Sequence, residues 1–229
     1  MASKDFAGYV VEDEEGAGAA MVDKLAAEGC KSIGLMFREA GNGVIDRRQS
    51  GVVDRLKELN MTYHTTTITN TASATDMTDA AAQLTGAYPD IDGMICSSGS
   101  NGTIDGLITY LSGSNIKLTS FDTPADLTGS FAAGNLVDLT TGAQIDPLYA
   151  LVNLYRKITG NPFSDTPTEI HSNYIYLENA DDINTYDANF SSFKTYTADE
   201  IVNLTKMSYD DYVKEVSNYS LQTVADKNK

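Results

Sequence analysis

The chain has no tryptophan, and its 229 residues include only two cysteines, two histidines and five prolines. Each shortage closes off some chemistry. Two cysteines cannot build a disulfide framework, and no paired Cys/His spacing suggests zinc. Cys30 falls at the entry of one predicted strand and Cys96 near the exit of another. Parallel strands would hold them at opposite ends, so both are expected to remain thiols. No G-x-G-x-x-G follows a strand and no P-loop occurs, so no cofactor and no metal is expected. Gly99-Ser100-Asn101-Gly102 is one residue short of a nucleophile elbow. His64 and His171 sit in strand-like segments without triad spacing. Asp90-Ile91-Asp92-Gly93 opens like a calcium loop, but Met94 fills a position that needs an oxygen ligand. No pair of carboxylates is set apart for acid–base work, and the chain is read as non-enzymatic. Cations are scarce as well: 16 Lys and Arg against 32 Asp and Glu give a formal charge of -16. Such a surface repels nucleic acid, because phosphate binding needs concentrated Lys and Arg. No apolar run approaches the roughly 18 residues of a membrane span, and Met1-Ala2-Ser3-Lys4-Asp5 lacks the charged-then-apolar layout of a signal peptide.

What the sequence does contain is an alternation of short apolar runs and amphipathic segments. Strands are predicted at Phe6–Val11, Ile33–Phe37, Tyr63–Ile68, Ile91–Cys96, Ile116–Phe121, Leu136–Thr141 and Glu169–Leu177, with helices between most of them. This repeat implies an α/β fold, a Rossmann-like parallel sheet with helices on both faces. The run Ile91–Cys96 passes through Ser97-Ser98-Gly99-Ser100-Asn101-Gly102 into a helix from Ile104. Loops at the carboxyl ends of parallel strands are where such sheets bind ligands, which singles out Ser98, Ser100 and Asn101. Ser100 or Asn101 equally fits a plain helix cap. Arg38 to Gly43 reads as a loop rich in turn formers, and Arg48 stands in the second helix. Asp146 suits an N-cap, Pro147 a first turn and Gly160 a stop. The helix between them puts Leu148, Leu151, Val152, Tyr155 and Ile158 on one face. Beyond Leu177 the chain turns polar and rich in tyrosine, with a capping box at Thr197-Ala198-Asp199-Glu200 and a short helix near Tyr209–Tyr219.

The order of these segments is similar to a known family. Val10-Val11-Glu12-Asp13 leads to a helix ending at Gly29, then Lys31-Ser32-Ile33-Gly34-Leu35 and Arg48-Gln49-Ser50-Gly51-Val52. Tyr88 to Ile95, Ser120-Phe121-Asp122 and Val137 to Gln144 follow. Over roughly residues 7 to 178 this resembles the type-1 periplasmic sugar-binding proteins, the ribose/galactose-binding class of ABC importer receptors, and the related LacI-family effector domains. The resemblance implies one lobe of a two-lobed fold joined by three crossing segments, with the sugar between the lobes. It begins at the first crossing, so the first lobe, on the order of a hundred residues, and the signal segment are expected to be missing, with Met1-Ala2-Ser3 favouring an added start over a truncated gene. Residues 6–144 then form the second, ligand-binding lobe, 145–178 a crossing helix and returning strand, and 179–229 a short helical C-terminal appendage.

By the same resemblance, Arg48 corresponds to the arginine that donates to sugar hydroxyls, a task its fork of donors suits. Asp122 corresponds to the carboxylate that accepts from two hydroxyls, and Phe121 to the aromatic beside it. Gln144 falls where an amide contact is found at the second crossing. Ser100 or Asn101 takes the place of a polar loop contact, Phe37 flanks the ligand, and Asp13 lies in the first crossing. The implied function is a non-enzymatic solute-binding fragment of a sugar importer, extracytoplasmic in the native protein. Its partners would be a monosaccharide or similar polyhydroxylated molecule, the first lobe and the ABC permease. A LacI-type effector domain, or an enzyme on the same scaffold, is the alternative. Helix 146–159 packs on the first lobe in the family. Its apolar face is therefore expected to fold back on its own chain or, in preference, to build a homodimer.

Overall fold

From Gly8 onward strand and helix alternate as β1 (Gly8–Val11), α1 (Glu14–Ala27), β2 (Ser32–Arg38), α2 (Gly43–Glu58), β3 (Thr62–Ile68), α3 (Ala74–Ala87), β4 (Gly93–Cys96), α4 (Thr103–Leu111), β5 (Lys117–Phe121), α5 (Leu127–Ala132) and β6 (Leu136–Thr141). Then come α6 (Asp146–Ile158), β7 (Thr168–His171), β8 (Ile175–Leu177) and the helices α7 (Ala180–Asn189), α8 (Ala198–Leu204), α9 (Tyr209–Ser217) and α10 (Leu221–Lys227). This computed structural model describes residues 5–190 and 195–228, so the Met1–Lys4 start lies outside the described residues. The chain divides into two units. The larger consists of Glu14–Thr141 and Tyr176–Ile183, the smaller of the described residues of Met1–Asp13, Gly142–Ile175 and Asn184–Lys229.

The sheet of the larger unit is ordered β3-β2-β4-β5-β6-β8 and is parallel from β3 to β6. β2 and β4 are buried along their whole length, as parallel strands covered on both faces must be. Gly34 meets Leu84 of α3 on one face, while Phe121 lies beneath Arg48 of α2 on the other. Met21, Leu25, Ile33, Leu35, Ile95 and Leu139 fill the space between sheet and helices. Two glycines fix how α1 and α2 cross. A Cβ on Gly18 would stand 2.2 Å from the Arg48 carbonyl oxygen, and one on Gly51 would stand 2.1 Å from that of Glu15. The helices touch backbone to backbone, which only glycine permits. That spacing is what the Arg48-x-x-Gly51 pattern encodes. At the amino edge, Asp92 accepts from the Lys31 and Ser32 amides at 2.8 and 3.0 Å. The stretch that opens like a calcium loop thus ties β4 to β2.

In the smaller unit β1 pairs with β7 in parallel, and α6 lies against β1. Tyr149 of α6 is fully buried and meets Tyr196, Tyr212 and Tyr219 edge-on. Arg156 donates to the Thr205 and Met207 carbonyls at 2.9 and 2.8 Å, and Asn153 donates to Thr168 Oγ1 at 2.8 Å. The face of α6 that turns inward is therefore largely polar and aromatic. Leu151, Leu154, Tyr155 and Ile158 are exposed, Ile158 by 73%, whereas Val152, expected on the same face, is buried, so the expected apolar face folds back only in part.

Several expectations are corrected. Glu169–Leu177 is not one strand. β7 joins β1 while β8 belongs to the six-stranded sheet, and Ser172, which donates to Asp146 Oδ1 at 2.7 Å, turns the chain between them. The units consequently differ from the expected 6–144, 145–178 and 179–229 division: β1, α6, β7 and the helices α8 to α10 belong together, and the unit boundary falls within α7. Asp146 is the first residue of α6 and not its cap. Arg38 closes β2 as a buried residue and does not open the following loop. The Thr197–Glu200 capping box is present. Cys30 and Cys96 are buried and form no disulfide.

Candidate functional site

β2, β4 and β5 end side by side at the carboxyl edge of the larger unit's sheet, at Arg38, Cys96 and Phe121. Arg38 organises the loops there. Its Nη1 donates to the Thr69 carbonyl at 2.8 Å, and its Nη2 donates to the Ser98 carbonyl at 3.1 Å and to Thr103 Oγ1 at 2.8 Å. A buried guanidinium is costly unless its donors are met, and here neutral oxygens from two loops and a helix meet them. Sequence reasoning missed this residue. Its one signal is a lone arginine directly after the apolar run Ile33–Phe37.

Asn101 and Asp122 have left-handed backbones, with φ of 60° and 70°, a conformation that Asn and Asp tolerate better than other side-chain-bearing residues. The turn at Asp122 starts directly after β5, and its amide still donates to the Thr140 carbonyl at 3.1 Å. Ser98 Oγ stands 3.2 Å from Asp122 Oδ2 and 3.0 Å from Ser100 Oγ. Asp122, Ser98 and Ser100 thus form one connected chain of oxygens, with Asp122 and Ser100 exposed to solvent. Neither Ser100 nor Asn101 caps α4 with its side chain; the cap is Gly102, without a side-chain bond.

Arg48 reaches the same edge but faces inward. Its Nε donates to Glu14 Oε2 at 3.0 Å, its Nη2 stands 2.9 Å from the same oxygen, and its Nη1 donates to the Ser97 carbonyl at 2.9 Å. The guanidinium carbon lies 3.3 Å from the centroid of the Phe121 ring. Arg48 is 7% exposed and Glu14 2%, so the pair is internal and its charges offset each other. Glu14 was not singled out from the sequence. Phe37 and Phe121 are both buried.

Asp13 and Gln144 belong to the smaller unit. Asp13 is exposed just before α1. Gln144 Nε2 donates to Tyr186 Oη at 3.1 Å, and its Oε1 accepts from the Gly142 amide. Neither cysteine is poised as a nucleophile: burial pushes the Cys30 thiol up to about 11 and raises that of Cys96 as well. The site offers carboxylate and hydroxyl oxygens above an arginine–aromatic floor, a set suited to exchanging hydrogen bonds with hydroxyl groups.

No protein-family model and no curated protein matches the sequence. Solved structures do match the fold. An ABC transporter solute-binding protein from Agrobacterium vitis, bound with alpha-D-tagatopyranose, superposes with a TM-score of 0.66 at 16% identity, over 80% of this chain and 61% of its own. A solute-binding protein from Burkholderia graminis in complex with D-arabinose does so with 0.66 at 16%, over 79% and 64%. The trehalose repressor from Escherichia coli gives 0.57 at 16%, over 72% and 62%. The chain thus has the type-1 periplasmic-binding-protein fold and spans less than two thirds of the length of these proteins.

Proposed function

We propose that this chain, with its type-1 periplasmic-binding-protein fold, is the ligand-binding lobe of a sugar receptor. It would recognise a monosaccharide or a similar polyhydroxylated molecule without chemical change. The observation that carries the reading is the connected Asp122–Ser98–Ser100 oxygen chain at the carboxyl edge of the parallel sheet. Asp122 accepts from ligand hydroxyls, and Ser100 and Asn101 read neighbouring ones. Arg48, held by Glu14 and stacked on Phe121, supplies the floor, with Phe37 at the end of β2, two strands away from Phe121 in the sheet. An importer receptor, extracytoplasmic and serving an ABC permease, is favoured over a LacI-type effector domain by the charge of -16 and by the helices beyond β8.

The smaller unit supports the idea of a first lobe that completes the receptor. A two-stranded parallel sheet is seldom stable alone, because parallel sheets are normally wider and covered on both faces. The apolar face of α6 and the strand β1 beside it are the surface on which that lobe would dock. A homodimer through helix 146–159 is the competing occupant.

The test is a heteronuclear NMR titration with D-tagatose, D-arabinose and trehalose. One lobe offers about half of the ligand's partners and leaves it wet, so millimolar affinity is expected. Shifts should be confined to Ser98–Asn101 and Asp122, and Asp122→Asn should abolish them. Micromolar binding by the monomer would refute the half-site. No shift with any sugar at its solubility limit would overturn the reading.

A further inference from the structure

The two edges of the six-stranded sheet differ. β8 ends one side with three residues. β3 ends the other with seven, and among the described residues no strand pairs with its outer side. Natural sheets blunt such an edge with lysine, proline, a bulge or brevity. β3 has none of these. Its register with β2 runs unbroken from Thr62 to Ile68, and no Asp, Glu, Lys or Arg occurs between Glu58 and Asp76, the longest such interval in the chain. Thr62, Thr65 and Thr67 are exposed. The His64 ring is stacked on Tyr88 with centroids 3.6 Å apart, which holds the strand from its helix side.

We propose that β3 is the contact edge for a second copy of this chain, the two strands pairing antiparallel about a twofold axis so that one sheet runs through both. Charge selects the occupant. Two copies each carrying -16 repel over most of their surfaces, and this strip is where they can approach without opposing like charges. A basic partner would be drawn to the acidic surface instead. The strand is also self-complementary. Centred on Thr65, it sets Tyr63 against Thr67 and His64 against Thr66, pairs of β-branched and aromatic side chains that stabilise adjoining strands. Each sheet has one such edge, so the assembly closes as a dimer. This inference is independent of the ligand.

Sedimentation equilibrium of the full chain at physiological salt tests it. Wild type should dimerise, and Thr65→Lys should raise the dissociation constant by about tenfold or more, because Thr65 faces its own copy across the twofold axis and two like charges would meet there. Thr67→Lys, which replaces a Thr–Tyr pair by Lys–Tyr, should raise it less. Both positions are exposed, so the variants should match wild type in far-ultraviolet circular dichroism. Thr65→Cys should form a disulfide-linked dimer under mild oxidation while the buried native thiols stay silent; Ile158→Cys should not. A wild type that is monomeric at every concentration, a dimer indifferent to both lysine variants, or cross-linking through Ile158→Cys would each overturn the assignment.

Discussion

Burial pushes the Asp138 carboxyl on β6 up to about 7, with Glu178 adding to the rise and Lys24 opposing it. Its Oδ1 meets no hydrogen-bond partner among the described residues. The folded state therefore binds this proton more tightly than the unfolded chain does. Its contribution to stability is complete below about pH 4 and is lost as pH rises through about 7, a span worth roughly 4 kcal/mol at most. Asp138→Asn should flatten that descent, and thermal melts at pH 5 and pH 8 should then agree more closely than in wild type. Arg48 shows how far sequence reaches at this scale. The Arg48-x-x-Gly51 pattern marked the residue, but nothing in the spacing revealed Glu14 as its partner. That pairing depends on where a second helix crosses. Arg38 was hidden for the opposite reason: a charge after an apolar run reads as exposed, and only the assembled loops supply the carbonyls that let it be buried.

Between elements, the contact that positions the site is the crossing of α1 and α2. Gly51→Ala would gain about 1 kcal/mol of helix propensity. The new methyl, however, would lie 2.1 Å from the Glu15 carbonyl oxygen and force the helices apart, at a cost of about 1–3 kcal/mol or more. Urea unfolding should show a net loss of stability, and the Arg48–Glu14 pair should loosen with it; equal or greater stability would mean the helices have room to spare. Strand and helix identities over residues 8 to 158 were legible because period and turn chemistry agree there. The segment Glu169–Leu177 misled because Ile170, Ile175 and Leu177 read as one apolar run, although the five-residue step from Ile170 to Ile175 breaks the alternation. Periodicity describes a strand's faces and not its neighbours, and β7 and β8 have different neighbours. On α6 the pattern placed Leu151, Tyr155 and Ile158 on one exposed face but put Val152 with them, whereas Val152 is buried with Tyr149, Asn153 and Arg156.

At the scale of the whole chain, two kinds of cohesion coexist. The larger unit is held by aliphatic side chains between helices and a parallel sheet. The smaller is held by aromatic rings: Tyr149, Tyr196, Tyr212 and Tyr219, joined by Phe163 and Phe190. Tyr149 Oη stands 3.0 Å from Tyr196 Oη, and Tyr212 Oη donates to the Tyr149 carbonyl at 2.9 Å. Burial raises the ionisation of all four phenols above the ordinary tyrosine value. With no tryptophan in the chain, these rings give the smaller unit an optical signature of its own. An alkaline titration followed by tyrosinate absorbance should therefore resolve into two steps, surface phenols first and the buried four later. Because those four can ionise only as their unit opens, the late step should shift to lower pH in mild denaturant while the early step stays fixed. A single step, unmoved by denaturant, would mean that alkali reaches the rings without melting what they hold together.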